Sequence, residues 1–255
     1  MPLSALPAPV GNRLLNRLSK DEYKLLIGSH KTVSLAHGDE VYREDSRGGL
    51  SHVYFPTSGM ISLTVLMEDG EEVEAGTIGN EGMIGLSVAH GLDFSPTKAI
   101  SQISGEGLRI PVSAFLKVLK RGGTLDKLLR RYAAYSLRYA SQTIACNLLH
   151  SAQQRMCRWL LMCRDRVEKE EFVLTHEFLA EMLGVRRQTV TVIAGTLQTA
   201  GLIRTLSLRT LPASPRRLYA RVRSHLTPLQ PRVRRALPRT MSRNSSICSV
   251  RHRAR

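Results

Sequence analysis

The stretch THEFLAEMLGVRRQTVTVIAGTL, Thr175 to Leu197, decides how this chain is read. It holds two short helical patterns joined by a tight turn. Thr175 is suited to cap the first helix, and Glu177 lies where a negative charge favours the helix N-terminus. Phe178, Leu179, Met182 and Leu183 form the apolar face of that helix, and Ala180 is small enough for a second helix to cross closely. Gly184 can adopt the left-handed conformation that ends a helix, and Val185 plugs the turn. In the second helix Val190, Ile193 and Leu197 point inward at spacings of three and four, which leaves Arg187, Gln188 and Thr191 together on the opposite face. This is the helix-turn-helix pattern. An arginine fork bonds O6 and N7 of guanine, and a glutamine amide bonds N6 and N7 of adenine. Arg187 and Gln188 stand in the first turn, the part of a recognition helix that enters the major groove. Thr189 and Thr191 suit phosphate or a thymine methyl, and Arg186 suits phosphate.

Upstream of this segment the pattern changes twice. Between Thr32 and Ile110 seven β-rich runs (KTVSLA, DEVYRE, SHVYFP, GMISLTVLM, VEAGTIG, KAISQIS and GLRIP) alternate with turn signals, which predicts a sandwich or barrel. A long helical stretch follows Gly122-Gly123. Its stripe of Leu125, Leu128, Leu129, Tyr132, Tyr135 and Tyr139 is separated by about 100° from a second stripe of Ala133, Leu137, Ala140, Ile144 and Leu148. A helix with two apolar faces covers the β-domain with one and pairs with a twin helix through the other. The expectation is a dimer through Leu128, Tyr132, Tyr135 and Tyr139. In a second helical run, Ala152 to Val167, Met156, Trp159, Leu160 and Cys163 lie on one side. Near the start, Ser19 and Glu22 form a capping box.

The 255 residues carry a formal charge of +16, unevenly distributed. All 21 acids precede Arg204, and the segment from there to Arg255 holds 14 Arg, no Lys and no Gly. The part up to Ile203 is nearly neutral. No apolar run approaches the ~18 residues of a spanning helix, and the opening MPLSALPAPVGNRLL lacks the charged start and apolar core of a secretory signal. The reading is a cytoplasmic protein. The four cysteines (Cys146, Cys157, Cys163 and Cys248) include no CxxC pair, and His30, His37, His52 and His90 lack ligand spacing, so neither metal nor other cofactor is expected. Glu71, Glu72 and Glu74 read as a solvated hairpin face. With no matched acid or nucleophile beside them, no enzyme is expected.

The order of these parts resembles the Crp/Fnr family of bacterial transcription regulators. The resemblance rests on SHVYFPTSGMISLTVLMEDGEEVEAGTIGNEGMIG, on LAEMLGVRRQTVT and on the following LQTAGLIR. It implies an α+β fold: an N-terminal double-stranded β-helix (jelly roll), a long dimerisation helix and a C-terminal helix-turn-helix of winged-helix type. The expected division is N-terminal helices over 1–29, a cyclic-nucleotide-binding-like roll over 30–111, connecting and dimerisation helices over 112–149, a DNA-binding domain over 150–203 and an Arg-rich disordered tail over 204–255. The resemblance implies a homodimer on double-stranded DNA, with RNA polymerase as a further partner. The DNA-binding set is Arg186, Arg187, Gln188, Thr189, Thr191 and Val192. Val192 stands where well-known relatives have a third base-reading arginine, so their target sequence does not transfer.

The cyclic-nucleotide-binding relatives hold the ribose with a Gly-Glu pair and the phosphate with an Arg-Ser or Arg-Thr pair. Here Gly85-Leu86 replaces the first, and the second falls at Thr97 and Lys98. Leucine cannot accept a ribose hydroxyl, and lysine lacks the bidentate fork. The four residues mark an effector pocket for a molecule other than cyclic AMP, or a roll that serves as scaffold. After GLIR the family's glycine-tipped wing is not recognisable, so the wing is expected to be missing. Either a reading-frame change near Arg204 or a genuine basic arm accounts for that composition. Two other functions compete with a specific regulator: a roll that signals to a protein partner, and a nonspecific nucleic-acid binder acting through the tail.

Overall fold

The computed structural model describes residues 11–43, 49–68, 70, 72–167, 172–206 and 209–211. The Arg-rich segment after Leu211, with the disorder expected of it, lies outside them. A 3-10 turn, Leu15–Arg17, and helix α1, Lys20–Ile27, precede the roll. Asn12 ties them down: its fully buried amide donates to the carbonyls of Pro56 and Gly82, each at 2.8 Å, and its Oδ1 accepts from the amides of Leu14 and Leu15. At α1 the Ser19–Glu22 box forms, with the Glu22 amide donating to Ser19 Oγ at 3.4 Å.

All seven β-rich runs become strands: β1 Lys31–Leu35, β2 Glu40–Tyr42, β3 His52–Pro56, β4 Met60–Leu66, β5 Glu72–Ile78, β6 Lys98–Ile103 and β7 Gly105–Pro111. They build two antiparallel sheets in the orders β1-β7-β3 and β2-β6-β4-β5. Between β5 and β6 lies the short helix α2, Leu86–Ala89. Phe55, Met83, Ile84, Ile110 and Phe115 fill the roll core, Phe115 coming from helix α3, Val112–Leu119.

Helix α4 runs from Thr124 to Leu149. Glu22 of α1 caps it, its Oε1 accepting from the Leu125 amide at 3.0 Å; burial works against the charge, but this bond and those from the Ser19 and Thr124 side chains hold the carboxyl below its usual range. The stripe expected to form the dimer instead packs inside the chain. Leu128, Tyr132 and Tyr135 are buried, and Tyr139 is partly buried with its hydroxyl 3.1 Å from Thr77 Oγ1. The reason is steric. Gly76 and Gly82 leave room for two tyrosines: a Cβ on Gly76 would sit 3.1 Å from the Tyr139 ring, and one on Gly82 would overlap the Tyr132 hydroxyl. The exposed apolar face is therefore the aliphatic one, with Leu137 71%, Ile144 61% and Leu148 79% accessible.

Helix α5, Ala152–Val167, is buried on every side from Met156 to Cys163, not on one side only. It lies between the roll and helices α6, His176–Leu183, and α7, Arg187–Thr199, and one apolar cluster joins Met60 and Ile103 of the roll to Trp159, Leu179, Val190 and Leu197. Strand β8, Phe172–Val173, pairs with β10, Arg209–Leu211, which pairs with β9, Arg204–Leu206. The expectation of a missing wing is thus corrected. The hairpin forms because the ladder needs only extended backbone and a partner, in a register that sets position 205 opposite position 210. After Ile203 the fold continues through two strands.

Candidate nucleic-acid interface and effector cavity

The helix-turn-helix is fixed by its termini. Thr175 Oγ1 accepts from the Phe178 amide at 3.1 Å and caps α6. At the other end Gly184 takes φ +58°, and the amides of Gly184 and Val185 return to the carbonyls of Glu181 and Ala180. That pair of bonds is a Schellman motif, and an L side chain in this conformation would be strained. Arg155 of α5 donates to the Leu183 carbonyl at 2.7 Å and anchors the same corner. Leu179, Ala180, Leu183, Val190, Ile193, Ala194 and Leu197 are buried between the helices, while Phe178 packs edge-on against Trp159 at 5.4 Å.

Arg186, Arg187, Gln188, Thr189, Thr191 and Val192 are all exposed on the outer face of α7. Val192, 69% accessible, offers an apolar contact and no hydrogen bond. Two of these side chains are engaged within the chain. Arg187 Nε lies 2.7 Å from Glu177 Oε1, with the two side chains 67% and 56% accessible, and Thr191 Oγ1 lies 3.0 Å from His176 Nδ1. The sequence reading gave Glu177 only a helix-dipole role. Its partnership with Arg187 depends on how α6 crosses α7. So exposed an ion pair contributes little stability, and the arginine fork stays at the surface.

The residues proposed for an effector divide. Gly85, Leu86 and Thr97 line a cavity of about 460 Å³ between β5, α2 and the tyrosine face of α4. Lys98 does not: its Nζ lies 2.6 Å from Glu72 and 3.7 Å from Glu40. Lys98 opens β6, where those carboxylates of β5 and β2 hold it, and Thr97 precedes the strand.

Glu74 corrects a further expectation. Instead of facing solvent on the hairpin, it is partly buried, accepting from Ser62 at 2.5 Å and from Trp159 Nε1 at 3.2 Å. Loss of hydration outweighs these bonds and raises its pKa to about 7. Nearby, Arg166 and Glu81, each 2% accessible, form an ion pair at 2.7 Å, and Arg166 also donates to the Thr77 carbonyl at 3.1 Å. Burial opposes the guanidinium charge, but Glu81 prevails and holds the Arg166 pKa well above its usual value. The sequence reading missed this pair. One signal was available: Glu81 is the only charged residue between Ala75 and Ala89. Cys163 is fully buried, and burial pushes its thiol pKa up, the opposite of a reactive thiolate. No helix among the described residues is long and apolar enough to cross a membrane.

Residues 32–122 match the model of the cyclic nucleotide-binding domain, and residues 154–219 that of the Crp-like helix-turn-helix domain. No curated protein matches the chain in sequence. Among solved structures, FixK2 from Bradyrhizobium japonicum is similar with a TM-score of 0.64 at 19% identity over 75% of this chain and 96% of its own. The c-di-GMP responsive global regulator CLP from Xanthomonas campestris gives 0.61 at 13% identity over 77% and 100%. A CRP/FNR family transcriptional regulator from Thermus thermophilus gives 0.56 at 20% identity over 76% and 98%. Such identities establish the fold, and the two domain matches, which together span more than half of the chain, add the kind of protein: these are domains of transcriptional regulators, not of enzymes. With a roll of the cyclic nucleotide-binding type followed by a Crp-like helix-turn-helix, the chain belongs to the Crp/Fnr family of transcriptional regulators.

Proposed function

We propose that the chain is a cytoplasmic, homodimeric regulator that binds double-stranded DNA sequence-specifically through α7. The observation that carries this reading is the outer face of that helix, where Arg187 and Gln188 occupy the first turn with Thr189 and Val192 beside them, all exposed. Arg187 reads a guanine and Gln188 an adenine, Val192 touches a thymine methyl, and Arg186, with Thr189 and Thr191, holds phosphate. The strand pair β9–β10 supplies backbone beside the helix, as a wing does. It also removes the premise of the rival reading in which DNA binding was lost with the wing.

The dimer forms through the exposed face of α4. Arg130, Ala134, Leu137, Ser141, Ile144 and Leu148 are all exposed and follow each other at alternating steps of four and three, the seam of a two-stranded coiled coil. Pairing along this seam sets two recognition helices on a two-fold axis, which matches an inverted-repeat operator. A small molecule in the cavity behind α4, bordered by Gly85, Leu86 and Thr97, modulates this dimer, and RNA polymerase is the downstream partner.

Selection from a pool of randomised duplexes with the full chain tests the reading. The expected outcome is an enriched inverted repeat with half-site centres about one helical turn apart. Enrichment of no sequence, or of a single unrepeated site, would overturn it.

A further inference from the structure

The seam between the roll and α6 is apolar apart from one carboxyl group. Met60 and Ile103 of the roll meet Trp159 of α5 and Leu179 of α6 in a single cluster, and Glu74 of β5 stands at its edge. Its two oxygens have neutral partners: Oε1 lies 3.2 Å from Trp159 Nε1 and Oε2 lies 2.5 Å from Ser62 Oγ of β4. Ser62 Oγ in turn lies 3.9 Å from Met182 Sδ of α6. A hydroxyl has one hydrogen to give. When Glu74 is ionised, Ser62 spends that hydrogen on the carboxylate. When Glu74 is neutral, Oε2 donates to Ser62, whose own hydrogen is then free to reach Met182. The proton therefore decides whether the chain Trp159–Glu74–Ser62 extends to α6, and its loss leaves a charge against an apolar seam.

We propose that Glu74 is a proton-operated latch: its neutral carboxyl holds α6, and with it the recognition helix α7, on the roll, and its ionisation releases them. The latch needs neither a ligand nor DNA, and Glu74 is not among the residues lining the cavity. Being only partly buried, the carboxyl can exchange its proton with solvent. From α5 it faces the guanidiniums of Arg158 and Arg166 and the buried thiol of Cys163. Both cations are engaged elsewhere, Arg166 with Glu81 and Arg158 with Thr143 Oγ1 at 3.0 Å, and they lie 5.6 and 5.4 Å from the Tyr139 ring of α4. On its own strand Glu72 is taken by Lys98. On α6 Glu177 and Glu181 are exposed, and His37 of the β1–β2 turn lies edge-on to Phe178, with ring centres 6.5 Å apart. The sign follows from linkage. Latched Glu74 keeps its proton up to about pH 7, whereas a hydrated carboxyl keeps it to about 4.5, so the latch is complete below about pH 4.5 and weakens as pH rises through about 7.

Amide hydrogen exchange of the full chain at pH 5 and pH 8, corrected for intrinsic rates, tests the latch. Protection of the α6 amides should fall at least about tenfold between the two, and at pH 8 should lie at least about tenfold below that of β3, because α6 lifts while the roll stays folded. Acrylamide quenching of Trp159, the one tryptophan in the sequence and 3% accessible, should rise over the same range. Glu74→Gln, which keeps the shape and stays neutral, should hold both readouts flat, and His37→Gln should leave the wild-type response in place. Flat α6 protection in the wild type, an equal fall in Glu74→Gln, a response lost in His37→Gln, or α6 and β3 equally protected at pH 8 would each overturn the latch. No DNA enters these measurements, so their failure and that of DNA recognition are separable.

Discussion

Replacing Arg166 by methionine takes the cation from a pair whose members are each 2% accessible, while keeping most of the aliphatic stem. Glu81 then loses its partner at 2.7 Å, and the Thr77 carbonyl loses a donor at 3.1 Å. Removing one member of a buried pair costs about 3–5 kcal/mol, because the remaining charge stays out of water without compensation. The lost bond to Thr77 adds about 1 kcal/mol. Against this, methionine regains apolar contact where the guanidinium lay 5.6 Å from the centre of the Tyr139 ring. A net loss of about 3–5 kcal/mol remains, which for a chain of this size lowers Tm by roughly 6–20 °C. Thermal unfolding followed by far-ultraviolet circular dichroism measures it. The Glu81→Gln/Arg166→Met double variant should recover part of the loss, since it leaves no buried charge unpaired. A single-variant loss below about 1 kcal/mol, or a double variant that simply adds the two single losses, would refute the reasoning.

Ile144→Asp places two carboxylates on the seam of α4 and should give monomers by light scattering with the melting of the roll retained; a dimer that persists would move the interface elsewhere. Glu74→Gln should stabilise the chain in a pH-dependent way. With a folded-state pKa of about 7 against a usual 4.5, the folded protein holds the Glu74 proton more tightly than the unfolded chain, so wild-type stability falls as pH rises from about 4.5 to about 7. The glutamine variant should therefore melt higher than wild type at pH 8 and at the same temperature near pH 4.5, and equal melting at both would contradict the assignment.

The strands of the roll and the helix-turn-helix were legible because local rules set them: β-branched alternation between turns, the Thr175 cap and the left-handed Gly184. The two apolar stripes of α4 were legible too, but not which one faces inward. That choice is made by Gly76 and Gly82, far away in the chain, whose missing side chains admit Tyr139 and Tyr132. Glu74–Trp159 and Glu81–Arg166 each join residues 85 positions apart, a separation over which spacing gives no signal. The wing was missed because its composition departs from the usual glycine-tipped pattern, while the ladder to β8 is built from backbone alone. Lys98 was misplaced because its partners Glu72 and Glu40 lie on other strands, brought beside it only by the sheet.

Sequence discrimination by Arg187 is the central claim. The direct test is to repeat the duplex selection with Arg187→Ala and to measure the affinity of both proteins for the enriched operator and for its single-base variants. The account predicts a loss of about 1–3 kcal/mol confined to one base position in each half-site, where preference relaxes while the other positions keep theirs. Equal weakening on every duplex would place Arg187 on phosphate, and an unchanged operator preference would remove α7 from base recognition.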